Sequence, residues 1–404
     1  MQENEEFKID LMQKILSRIN MNNFQTSTEL NLKKSKLALN SINKNKNNSR
    51  NLKAIFLPVF NQINPYQQQL INNLVDLGMQ IEGGNVSNYL IPTFMKQGKP
   101  DILHLHWLHP LFIRNNLAKS LFRLTVLIVE LNILKIIGIK IVWTAHNIKN
   151  HDSLYVQLDK ICTKFIAKIS HRIIAHSQTA KEEITKQLNI KNPQKIFVVP
   201  HGNYIGYYDN HISRAEARNK LNIPNEKTVM LLLGSIRENK GVLKLIENFK
   251  QINREEVELI VAGKPANQEL EQTIEHQISN NQNIKFISGF VPDEEIQTYM
   301  NASDVVVFPY QEILTSGAVF LAMSFKKACI APRQGCLGEV LNENGAFLYN
   351  SDCQNGLFRA MECAIKNKHL LINMGKYNFE LVEKFDWRNI AEMTLKVYQS
   401  CLTK

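Results

Sequence analysis

Val307-Phe308-Pro309-Tyr310-Gln311-Glu312-Ile313-Leu314-Thr315-Ser316-Gly317-Ala318-Val319-Phe320-Leu321-Ala322-Met323-Ser324 sets the architecture of this chain. An apolar strand, Asp304 to Phe308, leads in, and Pro309 stops it because proline lacks the ladder N–H. A short polar loop follows. Thr315-Ser316-Gly317 then opens a small, apolar helix running from Ala318 to Phe325. Free backbone N–H groups at the positive end of a helix dipole make a ready phosphate site. An ordinary capped helix in an α/β domain is the plain alternative.

The same strand–loop–helix unit recurs on both sides. Upstream, Lys53–Pro58, Asp101–His106, Gly138–Trp143, Arg172–Ala175 and Lys195–Val199 read as strands. Between them lie the helices Tyr66–Leu77, Ala118–Ile137, Leu154–Ser170 and Thr179–Leu188. A connection, Ile205 to Asn225, leads to a second series beginning with the apolar run Val229–Leu233. Such alternation predicts two doubly wound parallel sheets, with ligands at the carboxyl ends of the strands. The expected organisation is a leader over residues 1–52, domains over 53–204 and 205–388, and a last helix over 389–404.

A chain of 404 residues is too long for one ordinary core. Its 48 Lys and Arg against 37 Asp and Glu leave +11, which asks for an anionic partner. A phosphorylated small molecule and an anionic membrane surface are carried forward, and nucleic acid is not. The leader has no acidic residue from Leu30 onward and clusters Lys33, Lys34, Lys36, Lys44, Lys46 and Arg50. It reads as a flexible basic arm or as an anchor to anionic lipid. No apolar signal segment follows the acidic start, and the six cysteines show no disulfide or zinc spacing, so a cytoplasmic protein is expected.

Counting removes several chemistries. No GxGxxG follows a strand, Gly263-Lys264 lacks the rest of a P-loop, and no GxSxG occurs. No Asp-x-Asp is present to hold a divalent metal on a diphosphate, so no metal or other cofactor is expected. What remains is a diphosphate neutralised by protein alone. Arg237 and Lys240 lie in the loop after Val229–Leu233, and Thr315, Ser316 and Gly317 add helix-start donors from a later strand. Arg forks two phosphate oxygens, and Lys adds a point charge.

At these residues the chain resembles the GT-B glycosyltransferases, most closely the family-4 group. The resemblance rests on Gly234…Arg237…Lys240-Gly241, Val261-Ala262-Gly263, Gly289-Phe290-Val291, Ala302-Ser303-Asp304, Ser316-Gly317…Ala322-Met323 and Gly338-Glu339-Val340. It implies two facing Rossmann-like domains, acceptor on the first, nucleoside-diphosphate sugar on the second, and a final helix crossing back. It implies hexosyl transfer with retention to a saccharide acceptor, while the basic leader and the apolar helix Ala118–Ile137 point to a membrane-bound, lipid-linked one, in polysaccharide or glycolipid synthesis. Donor-side residues are then Gly234, Glu312, Thr315, Ser316, Gly317 and Glu339, with Arg237 and Lys240 catalytic.

His146 matches the family's histidine facing the donor sugar and is counted with the catalytic residues, to contact a sugar hydroxyl or act on the acceptor proton. His104, His106, Trp107, Asn147, His201 and Asn203 form the acceptor side. The chain departs from the family's Glu-x7-Glu motif: Leu321 and Ile313 occupy the two positions, with Glu312 one residue away. The cationic pair is displaced too, Ser235 following the Gly where Arg is usual. A catalytically silent nucleotide-sugar-binding protein and a GT-B-type epimerase are the competing readings. Oligomeric state is not legible.

Overall fold

Alternate residues of a strand point to opposite faces of its sheet, and in this chain both faces are covered. In β1 (Lys53–Leu57), Ile55 and Leu57 enter one apolar layer while Ala54 and Phe56 enter the other. The computed structural model describes residues 51–60, 64–84, 89–149 and 154–403. The leader up to residue 50, and both readings of it, lie outside the described residues.

After β1 come α1 (Pro65–Asp76), β2 (Gln80–Gly83), α2 (Leu90–Gln97), β3 (Ile102–Leu105), α3 (His109–Phe112) and α4 (Leu117–Ile136). Then follow β4 (Lys140–Thr144), α5 (Val156–Ile169), β5 (Arg172–Ala175), α6 (Gln178–Gln187) and β6 (Ile196–Val198). The strands pair in parallel in the order β2-β1-β3-β4-β5-β6. Side-chain caps mark the helix starts: Asn64 accepts from the Gln67 N–H, Asn116 from Lys119 and Ser177 from Ala180.

The second series is α7 (Arg214–Lys220), β7 (Thr228–Leu233), α8 (Val242–Ile252), β8 (Val257–Gly263), α9 (Gln268–Ile278) and β9 (Ile284–Ser288). It continues with α10 (Ile296–Ala302), β10 (Val305–Val307), α11 (Gly317–Ser324), β11 (Ala328–Pro332), α12 (Gly335–Val340) and β12 (Ala346–Tyr349). The parallel order is β12-β11-β10-β7-β8-β9. The chain thus winds outward from β7 to β9 and returns to β7's other side as β10. That reversal opens a crevice between the ends of β7 and β10, the usual ligand position in such sheets. The corresponding reversal in the first sheet lies between β1 and β3.

Helices α13 (Gly356–Lys366), α14 (Leu371–Val382) and α15 (Trp387–Leu402) close the chain. α15 belongs to the first sheet's core, where Trp387, Ile390, Val397 and Tyr398 pack with Tyr66, Leu70 and Leu74 of α1. Burying each such side chain contributes about 1.5–3 kcal/mol. The crossing is tight: a Cβ on Gly202 would lie 2.4 Å from the Trp387 ring.

Five elements have no counterpart in the sequence reading: β2, α2, α3, α12 and α14. α14 was obscured by Gly375, a poor helix former. That glycine is needed because its Cβ would meet the Lys326 carbonyl oxygen at 1.9 Å. Helix and turn touch backbone to backbone there.

Candidate functional site

Two loops from the second sheet's crevice press together. The Gln311 N–H donates to the Asn239 carbonyl at 3.0 Å. Gly241 has φ +69°, and a Cβ there would lie 2.1 Å from the Pro309 carbonyl oxygen. Only glycine suits both the left-handed backbone and the close approach. The contact brings the Arg237–Lys240 turn against the loop leading into α11. Together with the first sheet's strand ends they enclose a cavity of about 710 Å³.

Arg237, Lys240, Glu312, Thr315, Ser316 and Gly317 all line this cavity, as do Trp107 and Asn147 from the first sheet. Lys240 Nζ donates to Ser235 Oγ at 3.1 Å and stands 5.8 Å above the Tyr310 ring. Burial brings its ammonium down to about 8, and the nearby Arg237 guanidinium adds to the effect. Ser316 is the N-cap of α11 but makes no side-chain capping bond, so its helix-start N–H groups are not taken up by its own hydroxyl. Gly234, by contrast, does not line the cavity. It shapes the strand end, with φ +121°, where a side chain would come within 4.0 Å of Lys240 Nζ.

Glu339 is placed differently from the donor-side expectation. Its carboxylate accepts from the backbone N–H of Gln178 at 2.9 Å and also from that of Thr179. It therefore caps α6 across the cleft, a charge-assisted contact at the positive end of a helix dipole. Thr315 makes a second cross-cleft contact, donating to the His146 carbonyl at 3.3 Å.

The acceptor-side histidines separate into different roles. His104 is fully buried and lines neither cavity: Nε2 lies 2.7 Å from Thr144 Oγ1, and Nδ1 lies 2.6 Å from the Tyr398 hydroxyl. Desolvation pushes it down to about 3, so it is a neutral link between β3 and α15 rather than an acceptor wall. His201 and Asn203 are likewise structural. His201 Nδ1 faces the Gly202 carbonyl at 2.7 Å, and its ring stacks on Phe320. Asn203 donates to the Val382 carbonyl, and its own carbonyl accepts from Trp387 Nε1, tying the interdomain connection to α15.

His106 and His146 do reach a cavity, a second one of about 400 Å³ that shares Trp107, Asn147 and Arg237 with the first. His106 Nδ1 lies 3.2 Å from His146 Nε2. Desolvation holds both well below the usual imidazole range, with neighbouring histidines contributing. Trp107 stacks on His146 at 4.4 Å and 12°, so one indole face is already occupied. Two residues packed behind these histidines have no place in the sequence reading of the site. Tyr66, at the start of α1, packs edge-on against His146 and His176, and His176 Nδ1 faces the Val199 carbonyl at 2.8 Å. The signal for His176 was present, since it follows β5 as His146 follows β4.

Comparison with known proteins agrees with this geometry. Residues 88–203 match the family model described as Glycosyltransferase Family 4, and residues 213–381 match Glycosyl transferases group 1. A GDP-mannose:glycolipid 4-beta-D-mannosyltransferase of Xanthomonas campestris pv. campestris is 23% identical over 301 residues, covering 74% of this chain and 79% of the relative. Among solved structures, sucrose-phosphate synthase from Thermosynechococcus elongatus superposes with TM-score 0.70 at 15% identity, over 87% of this chain and 99% of that one. Anabaena HepE, solved in complex with UDP and glucose, gives 0.67 at 17% identity, over 86% and 100%. Two facing doubly wound sheets, consecutive matches to both family models and these relatives place the chain among the GT-B glycosyltransferases of group 1, where it resembles family 4.

Proposed function

We propose that the larger cavity binds a nucleoside-diphosphate sugar and that an acceptor hydroxyl attacks its anomeric carbon from the first-sheet side. The observation that carries this is the convergence of Arg237, Lys240 and the start of α11 on one cavity at the β7/β10 crevice. Two cations and a helix start offset the charge that develops on the departing diphosphate, with no resident metal ion required. Glu312 lines the cavity on the donor side, and we assign it to the sugar hydroxyls. The family-4 resemblance implies retention, whereas the Xanthomonas relative by its name makes a β-linkage.

The test is turnover of a panel (UDP-glucose, UDP-N-acetylglucosamine, GDP-mannose) with alkyl glycosides as acceptors, with and without EDTA. Transfer from at least one donor, unaffected by EDTA, is expected. Tight nucleotide binding with no turnover would identify a silent binder. A donor recovered with an inverted sugar carbon would identify an epimerase.

A second reading concerns the acceptor's location. No helix among the described residues is long and apolar enough to cross a membrane. However, α4 exposes Leu121, Phe122, Val129, Ile133 and Ile136, and α5 beside it exposes Val156 and Ile161 together with Lys160, Lys164 and Lys168. α5 also contributes Asp159 and Thr163 to the smaller cavity. This apolar and basic face would seat the protein on an anionic inner membrane leaflet and deliver a lipid-linked acceptor to that cavity. Sedimentation with phosphatidylcholine vesicles containing phosphatidylglycerol is expected to capture the protein. A Phe122→Asp/Ile133→Asp variant should bind at least about tenfold more weakly. Equal binding by both proteins removes α4 from the reading.

A further inference from the structure

The smaller cavity holds one imidazole that differs from the rest. His109, at the start of α3, lines it together with Asp159 of α5. His109 Nδ1 lies 3.5 Å from Asp159 Oδ1, at the outer limit for a hydrogen bond, a looseness common in sites without substrate. Asp159 is 7% exposed, and its Oδ2 is buried without a hydrogen-bond partner among the described residues. Leaving a carboxylate oxygen unsatisfied in a covered position costs free energy, which a substrate hydroxyl or a protonated neighbour would recover.

The other two imidazoles lining this cavity, His106 and His146, are almost fully buried and lie against each other. His109 is half-buried, and its Nδ1 faces the carboxylate, which leaves Nε2 as the nitrogen for proton transfer. The charged or titratable groups lining the same cavity are Asp159, His106, His146, Lys149 and Arg237. Arg237 also lines the larger cavity, so the cavity that holds the pair adjoins the proposed diphosphate site.

We propose that His109, oriented by Asp159, is the catalytic base that takes the proton of the acceptor hydroxyl, and that transfer therefore inverts the anomeric centre. The inference rests on the glycosyl-transfer reading of the larger cavity. In the step, the acceptor O–H proton passes to His109 Nε2 while the oxygen's electron pair forms the new bond to the anomeric carbon. The bond from that carbon to the phosphate oxygen breaks, and its electron pair leaves on the nucleoside diphosphate, neutralised by Arg237, Lys240 and the α11 N–H groups. Water then takes the proton from the imidazolium. In-line displacement with a protein base inverts configuration. In retention, the departing phosphate would take the proton and the dyad would have no role.

The experiment uses the full chain and the donor panel above, with three readouts: product anomer by proton NMR, transfer rate, and affinity for UDP and GDP by calorimetry. The wild type is expected to give the anomer opposite to the donor. His109→Gln should lower kcat by about 10²–10⁴-fold. Its nucleotide affinity should match the wild type, which shows that the fold persists. Asp159→Asn keeps the side chain's size but removes the carboxylate facing His109 Nδ1, so kcat should fall while KM and nucleotide affinity stay at wild type, and Asp159→Glu should restore part of the rate. A merely structural role would move KM and nucleotide affinity together with kcat, and Asp159→Glu would not rescue the rate. Retention of configuration, or a His109→Gln enzyme at wild-type rate, overturns the proposal alone. A wild type that turns over no donor overturns both it and the transfer reading.

Discussion

Replacing Lys240 by Ala is expected to lower kcat for sugar transfer by about 10²–10³-fold, with thermal unfolding close to wild type. The ammonium stands at the end of a short turn, held 3.1 Å from Ser235 Oγ and over the Tyr310 ring, and is not part of the apolar core. Charge on the leaving diphosphate grows as the anomeric bond breaks, so a fixed cation beside it acts more strongly in the transition state than in the ground state. Arg237 remains in the variant and sustains binding, which is why the loss falls mainly on kcat. An unchanged kcat would rule out the assignment.

The wild type carries its own check. Burial lowers the Lys240 ammonium to about 8, so the neutral amine predominates above that pH. A bound diphosphate favours the ammonium, and binding above pH 8 must therefore take up a proton. Affinity for UDP or GDP should be level below about pH 8 and fall by up to about tenfold per unit above it. Lys240→Arg, always charged, should lose this alkaline limb. Calorimetry across pH measures both.

The parallel sheets and the donor loops were legible because they rest on local pattern. β7 is a continuous apolar run ending in a glycine, and the cationic turn follows within seven residues of that glycine. Burial direction was not legible. His104 and His106 both stand on or just after β3, and sequence treats them alike, yet one is clamped between Thr144 and Tyr398 and the other lines a cavity. A sheet covered on both faces gives no polar alternation to tell them apart. Long-range pairing was hidden as well. Glu339 follows a glycine in a family-like motif, but its partners on α6 lie some 160 residues earlier. The His109–Asp159 pair spans 50 residues. Its one local trace is an acidic residue on the apolar stripe of α5, beside Cys162, Thr163 and Ile166.

Arg218→Ala is expected to destabilise the second sheet's domain by about 3–5 kcal/mol and lower its unfolding temperature by about 10 °C. Arg218 is fully buried on α7. Its guanidinium donates to the carbonyls of Ala302, Pro224, Asn225 and Lys227, and at 2.7 Å to Asp304 Oδ2. That carboxylate oxygen also accepts the Val229 N–H at 2.8 Å. One side chain thus fastens α7 and α10 to the entries of β7 and β10, at the opposite ends of the strands from the Gly241–Pro309 contact. Alanine would leave the buried Ala302 carbonyl and the partly buried Pro224 and Lys227 carbonyls without this donor, and the carboxylate without its buried cation. Arg214 is the internal control: it bonds Asp304 Oδ1 from a half-exposed position, where an ion pair contributes about 0–1 kcal/mol. Arg214→Ala should therefore unfold within a few degrees of wild type. Because the staple lies away from the cavity, Arg218→Ala protein held well below its transition should still bind UDP or GDP with wild-type affinity. Equal unfolding temperatures for the two variants would show that the strand entries are held by apolar packing and not by this cation.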